Sequence, residues 1–237
     1  MPASAIPEAR RASGIARILS AAAFLLFPNA AVFAESAPGY LPIFDGGMKS
    51  VGLQLGVARP TPTNGADSLI KSGPAVGIQF LKYQLDWVGL GLEWDYLKFG
   101  KNGYASAGGE LSGEATAMSL STLVRLNMLQ ERSWTPYLLG GAGYHSSSLK
   151  LAVKSAPGVQ TCLTFGSESK CGQDPSLEPA MKGLTVTGGA GIEAFVLRGM
   201  SLALEARFQQ FRNGSDAEGA LESLSYFFGA RFLFGLE

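Results

Sequence analysis

The stretch of sequence that decides the fold is SLSYFFGARFLF, residues 223–234, close to the end of the chain. Every second residue in it is apolar, and four of these are aromatic: Leu224, Tyr226, Phe228, Ala230, Phe232 and Phe234. The opposite face carries small or charged residues, namely Ser225, Gly229 and Arg231. A period of two predicts a β-strand. An unpaired strand this apolar is an aggregation template, so it needs a pairing strand, and closure of the sheet into a barrel would supply one.

Two apolar residues, Phe227 and Leu233, interrupt the small face, and we interpret both as lying near the ends of the strand. The spacing Gly229-x-x-Phe232-x-Phe234 resembles the C-terminal signal by which bacterial outer-membrane β-barrels are recognised for insertion. This resemblance implies that the barrel-assembly machinery is a partner during insertion. The hypothesis requires further membrane-barrel features in the rest of the chain.

The N-terminus has the organisation of a secretory signal peptide. Arg10, Arg11 and Arg17 precede an apolar run over 18–27, and small residues lead to a cleavage site after Ala34. The apolar run is about half of the roughly 20 residues that a membrane-spanning helix needs. We therefore predict a signal peptide over 1–34, a periplasmic lead segment over 35–47 and a barrel domain over 48–237.

Composition argues against nucleic-acid binding and against a membrane-spanning helix in the mature chain. Without residues 1–34 the chain keeps sixteen basic and eighteen acidic residues, since three Arg and one Glu are removed, and a net charge of about −2 does not indicate nucleic-acid binding. About 200 residues fit one domain. No second apolar run is long enough for a membrane helix, so any insertion into a membrane must use strands.

Alternating patterns predict eight strands, which lie around 51–57, 76–80, 88–96, 117–126, 134–147, 184–193, 201–208 and 223–234. The facing of the fifth strand stays open because its centre is Gly140 to Gly143. Four long connections, over 59–73, 100–114, 148–181 and 212–220, alternate with three short turns, over 83–86, 129–133 and 197–199. Such alternation is typical of outer-membrane barrels, whose turns are short on the periplasmic side and long outside.

Alternation alone does not say which face points inward, so a soluble sandwich or lipocalin-like barrel is an open alternative. The export signal, the alternation of connections, the aromatic residues toward strand ends and the strand lengths favour a membrane. As a whole the chain resembles the small OmpA/OmpX-like outer-membrane barrels. The resemblance implies an all-β, closed, antiparallel eight-stranded transmembrane barrel in the bacterial outer membrane. It also implies contact with membrane lipid and lipopolysaccharide, and extracellular loops able to bind a ligand.

Charged residues on the polar faces form the most informative constellation. Five of them lie only a few residues from a short turn or from the C-terminus: Glu93, Arg125, Glu193, Glu205 and Arg231. The interior of an eight-stranded barrel is just wide enough for side chains to fill it, and isolated buried charges are costly. We expect these residues to pair across the lumen as a structural ion-pair plug. A narrow gated channel for small solutes is the alternative.

An enzymatic role is the third hypothesis, and it depends on His145 and Ser147, which share one strand face. This pair invites comparison with outer-membrane lipid A deacylases. No Asn-Ala-Gly follows the serine and no acid stands at an obvious spacing, so we expect no enzyme activity. The glycine runs at 140–143 and 188–191 lack the Lys-Ser/Thr of a phosphate-binding loop, and no cofactor is predicted.

The only cysteines, Cys162 and Cys171, fall in the longest connection. An exported chain meets an oxidising compartment, so we predict a loop disulfide, while zinc binding is disfavoured because no other ligands are near. The residues between the cysteines are mostly small or polar. We therefore expect that this loop does not build a hydrophobic core of its own.

Overall fold

A computed structural model describes residues 46–61, 70–106, 109–129, 133–165, 168–197, 199–213 and 221–235. The predicted signal peptide and nearly all of the predicted lead segment lie outside these ranges. Within them, no helix is long and apolar enough to cross a membrane.

The described residues form twelve strands, in chain order β1 (Lys49–Pro60), β2 (Ile70–Lys71), β3 (Gly73–Leu85), β4 (Val88–Ser106), β5 (Gly109–Asn127), β6 (Trp134–Ser155), β7 (Thr161–Phe165), β8 (Glu168–Gly172), β9 (Ser176–Leu177), β10 (Ala180–Leu197), β11 (Met200–Asn213) and β12 (Leu221–Phe234). Eight of them pair antiparallel in the order β10-β11-β12-β1-β3-β4-β5-β6, and β6 pairs with β10. The sheet is therefore closed, so none of the eight strands is an edge strand.

The distribution of side chains is inverted relative to a soluble protein. Outward residues are apolar and exposed: Leu55 is 66% exposed and Phe228 is 53% exposed, whereas Arg207, which faces inward, is fully buried. Soluble proteins bury the apolar face and expose charge. An apolar outer surface around a polar interior is the pattern of a transmembrane barrel. The predicted fold class, an all-β closed antiparallel eight-stranded transmembrane barrel, is confirmed, and the lipocalin-like alternative is not supported.

Two ends of the barrel can be distinguished. The short-turn end carries the turns between Leu85 and Val88 and between Leu197 and Met200, together with the start of β1 and the end of β12. The opposite end, called the loop end below, carries the connections expected to be long. One of these expectations was wrong: residues 100–114 are almost wholly strand, because β4 and β5 pair up to Ser106 and Gly109. This stretch is rich in Gly, Ser and Ala, so its sequence has no apolar alternation from which the hairpin could be predicted.

The connection over 148–181 also contains strands. β6 continues to Ser155, β7 and β8 pair as a hairpin, and β9 pairs with β6. Cys162 and Cys171 lie opposite each other in the hairpin and form a disulfide, which confirms that prediction. The expectation that the loop has no core was wrong, since Leu163 packs with Leu151 and Leu177.

The structure shows which face of β6 points inward and where Phe227 lies in β12. In β6, Gly141 and Gly143 point into the lumen, because a Cβ on either would approach the lumen residues Thr187 and Ser121, whereas Gly140 meets nothing within 4 Å. Phe227 lies in the middle of β12 and points inward, so its interpretation as a strand-end residue was wrong. Gly56, directly opposite on β1, provides the space that the ring occupies.

Candidate functional site in the barrel lumen

The lumen contains all five charged residues singled out in the sequence. Glu93, Arg125, Glu193, Glu205 and Arg231 point inward, and none is more than 4% exposed. Alternation on β4, β5, β10, β11 and β12 accounts for their common direction, since residues two apart on a strand share a face. They do not form one cluster of mutual pairs. They divide into a group around Glu193 and a group around Arg207.

The group around Glu193 lies toward the short-turn end. Its carboxylate accepts hydrogen bonds from Arg125 and from Arg231, whose Nη1 lies 2.6 Å from Oε2. Ser201 also donates its hydroxyl to Glu193, and Arg125 Nε donates to Asn127 Oδ1 at 2.8 Å. One carboxylate thus serves two guanidinium groups.

The group around Arg207 has the opposite balance of charge. Arg207 Nη1 lies 2.7 Å from Glu93 Oε1 and 2.9 Å from Asp95 Oδ2, and Arg207 also contacts the Glu205 carboxylate. Arg207 and Asp95 were missing from the predicted set. The signal that could have found them is spacing, since Asp95 lies two residues beyond Glu93, and Arg207 two beyond Glu205, on the same lumen faces.

The amide of Gln79 joins the two groups, and that of Gln54 adds hydrogen bonds within the group around Arg207. Gln79 Nε2 donates to Glu93 Oε2 at 2.7 Å, and Gln79 Oε1 accepts from Arg231 Nη2 at 2.7 Å. Gln54 accepts from Arg207 Nη2 at 2.9 Å and donates to Glu205 at 3.3 Å. The lumen charges are therefore members of one continuous hydrogen-bond network. In it, four carboxylates face three guanidinium groups.

Aromatic rings cover the guanidinium groups. Arg125 Cζ lies 3.5 Å from the centroid of the Tyr137 ring, and Arg207 Cζ lies 4.6 Å from that of Phe227. Tyr137 also donates its hydroxyl to Glu205 at 2.8 Å. A guanidinium over a ring face is stabilised by the ring quadrupole, more so when water is excluded. Phe227 therefore lies on the polar face because it packs against the Arg207 guanidinium, a contact that alternation does not predict.

Two clusters of buried apolar side chains lie beside the charged network in the lumen. One of them extends toward the loop end and consists of Ala58, Ile70, Ala75, Leu97, Phe99, Ala115, Ala117, Phe211 and Phe227. The other consists of Met48, Leu81, Tyr83, Leu123, Tyr137, Leu139 and Leu233. Its members Leu81 and Leu233 lie nearer the short-turn end than Gln79 and Arg231, the network residues on the same strands.

His145 and Ser147 also point into the lumen and not toward lipid. His145 is 1% exposed, its ring packs edge-on against Phe211 with centroids 5.2 Å apart, and its Nδ1 lies 3.2 Å from the Leu184 carbonyl oxygen. Both side chains are buried between the barrel walls, away from the outer surface where an acyl ester would lie. Among the described residues, no group of three or more His, Cys, Asp or Glu side chains is placed to hold a metal ion.

Comparison with solved structures finds small outer-membrane barrels. Ail of Yersinia pestis is 11% identical, with a TM-score of 0.46 over 80% of this chain and 99% of that one. OprG of Pseudomonas aeruginosa is 12% identical, with a TM-score of 0.45 over 82% and 99%. Neisserial surface protein A is 13% identical, with a TM-score of 0.41 over 80% and 98%.

No family model and no curated protein sequence matches the chain. The likeness to the solved structures is one of fold, and at that level the resemblance to small outer-membrane barrels is confirmed. At 11–13% identity, the function of this chain has to be inferred from its own residues.

Proposed function

We propose that this protein is a bacterial outer-membrane β-barrel of structural or surface-interaction type whose lumen is closed by an ion-pair plug. The observation that carries the proposal is the burial of the lumen charges, since Arg125, Arg207 and Glu193 are not exposed at all. A wide aqueous pore would hydrate these groups. Burial of an unpaired charge is costly, so the charges must pair with one another when they fill the lumen.

The two apolar clusters support the same conclusion. A conducted ion would have to lose water where it passes Leu97 and Phe99 toward the loop end, and again where it passes Leu81 and Leu233 toward the short-turn end. Hydrophobic constrictions close channels because water leaves them. A narrow gated channel would need the network and the apolar side chains beside it to rearrange together.

The proposal includes a location and partners. The eight barrel strands cross the outer membrane, with the short-turn end toward the periplasm and the loop end outside. Outer-membrane lipid and lipopolysaccharide then surround the apolar wall, and the barrel-assembly machinery inserts the chain. The loop end, with the β7–β8 hairpin and its disulfide, is the surface available to an extracellular ligand. The domain boundaries 1–34, 35–47 and 48–237 belong to this proposal.

Planar-bilayer recording tests the plug. Purified wild-type protein is inserted at several concentrations, and its folded state is verified beforehand on a gel. We expect no steady, large conductance, with bilayers that received detergent alone as the control. Brief small openings would favour the narrow gated channel. A steady large conductance from every insertion would contradict the plug.

A further inference from the structure

The outer wall of the barrel has an indentation at the junction of β6 and β10. Most outward positions of the wall carry large apolar side chains, but Ala142 and Thr122 are paired neighbours in this region, and Gly140 pairs with Gly188 in the next row. A Cβ at Gly140 or at Gly188 would meet nothing within 4 Å. The outer surface therefore lacks large side chains along this part of the wall.

Larger residues frame this indentation. Leu92, Leu120, Tyr144 and Leu184 stand around the floor that Ala142 and Thr122 provide, and they border an open groove of about 520 Å³. The one polar group of the floor is satisfied, because Thr122 Oγ1 donates to the Ala142 carbonyl at 2.9 Å. The groove is thus almost wholly apolar and lies in the lipid-facing surface. Its volume falls in the range of small-molecule sites, about 300–1,000 Å³.

Two basic residues stand at the loop-end margin of the groove. Lys182 precedes Leu184 by two residues on the same outward face, a distance of about 7 Å along a strand. Arg212 of β11 is the register partner of Leu184. Both side chains are exposed, and Lys182 makes no hydrogen bond or ion pair with the described residues. Arg212 Nε donates to Gln210 Oε1 at 2.8 Å.

Two acidic side chains near these strands accept hydrogen bonds from neutral groups. Glu178 accepts one from Ser148 Oγ at 3.3 Å, and Glu222 accepts one at 2.8 Å from Nε2 of Gln210, the residue whose Oε1 binds Arg212. Both bases are exposed, so they present positive charge at the loop-end side of an apolar groove, Lys182 above Leu184 and Arg212 beside it. This combination of charge and apolar surface matches a lipid with an anionic headgroup.

We propose that the groove and its two basic residues bind one phosphorylated glycolipid of the outer leaflet, of the lipid A type. One acyl chain lies in the groove over Ala142, and a phosphate binds between Lys182 and Arg212. The inference rests on the proposed outer-membrane location. Arg59 on β1 is also exposed at the loop end, but the outward residues below it, Leu55 and Val57, are large apolar side chains and not a floor of small residues.

Native mass spectrometry of the purified barrel tests this inference. Protein in a neutral detergent is mixed with hexa-acylated diphosphoryl lipid A, or separately with phosphatidylglycerol or phosphatidylcholine, and retained lipid is counted after detergent exchange. We expect wild type to retain one lipid A. Lys182→Gln and Arg212→Gln should each weaken retention about fivefold, since a basic residue near a membrane surface contributes on the order of 1 kcal/mol. Ala142→Leu, which fills the floor, should weaken it at least as much.

Two variants provide matched controls. Arg59→Gln removes a basic residue from the same end of the barrel, and Ala230→Leu enlarges a small outward residue of β12; both should retain lipid A like wild type. Every variant is first checked for its folded gel mobility, so loss of the barrel is distinguished from loss of the lipid. A folded wild type that retains no lipid A would overturn the inference. So would equal loss in the controls, or equal retention of phosphatidylglycerol.

Discussion

At the scale of single residues, Arg207 is the side chain on which the lumen network depends most. It is fully buried and contacts the carboxylates of Glu93, Asp95 and Glu205, while Phe227 covers its guanidinium. A buried carboxylate without a cation is far more costly than one that is exposed. The three acids are therefore tolerable in the lumen only while Arg207 is present.

Replacement of Arg207 by Met should destabilise the barrel strongly. Loss of one partner from a buried ion pair typically costs about 3–5 kcal/mol. The measurement is urea unfolding of the barrel in lipid vesicles. The exposed Lys154→Met should stay within about 0.5 kcal/mol of wild type. Glu205→Gln in the Arg207→Met background should restore part of the loss, and equal unfolding of Arg207→Met and Lys154→Met would contradict the role of the network.

Gly191 has a steric role that a chain of alternating residues does not reveal. It is the register partner of Tyr137, and a Cβ there would lie 2.5 Å from the Tyr137 hydroxyl oxygen. Gly191→Val should displace the ring from Arg125 and Glu205 and cost about 1–3 kcal/mol, as overpacking does. Gly188→Val is the matched control, because nothing lies within 4 Å of its Cβ. Unfolding midpoints that do not differ between the two variants would refute this role.

At the scale of elements, strands β4, β5 and β6 are longer than β1, β3, β11 and β12, and they extend into the loop end. Leu151 on β6 packs with Leu163 of β7 and Leu177 of β9, so the connection has a small core beside the disulfide. This core lies outside the charged network and shares no residue with it. The loop should therefore respond to mutation independently of the barrel.

The double change Cys162→Ser with Cys171→Ser should leave the barrel intact. In the chain-entropy model a cross-link over about ten residues removes roughly 2–3 kcal/mol of loop freedom. The loop should become more sensitive to added protease while the folded gel mobility stays unchanged. A useful control is wild-type protein treated with a reductant, which should show the same sensitivity. Failure of the double variant to assemble would show that the hairpin is required for the fold.

At the scale of the whole molecule, closure is the main source of order. The pairing of β1 with β12 extends from Lys49 and Phe234 to Pro60 and Ser223, so the ends of the described barrel join over a full strand length. In lipid, an open edge would leave backbone groups without hydrogen bonds. The barrel should therefore be either wholly closed or wholly unfolded.

Heat-modifiability on gels follows from this closure. Unboiled protein should keep its compact barrel in detergent and migrate differently from boiled protein, and cell fractionation should recover it with the outer membrane. A variant that stops before residue 221 lacks β12 and should show no shift. Recovery of wild type as a soluble periplasmic protein without detergent would contradict the membrane location.

Much of the candidate site could be inferred before the structure was known, because alternation identifies which residues share a face. Alternation assigns Glu93, Glu193 and Arg231 to polar strand faces, and the resemblance to outer-membrane barrels implies that these faces line the lumen. Asp95 and Arg207 were on the same faces, but their pairing depends on which strands are neighbours and in which register. Register is a property of the closed sheet, and a strand pattern of period two does not contain it.

The sequence by itself determined that the chain forms about eight strands, each with one apolar face, because period-two alternation is a local property. It also determined the disulfide, since only two cysteines are present. Only the tertiary structure decided that the polar faces point inward and that Arg207 collects three carboxylates. It also decided that residues 100–114 continue as strand. The physical reason is that these features arise from closure and stagger of the sheet, which bring together residues far apart in the chain, such as Gln54 and Arg207.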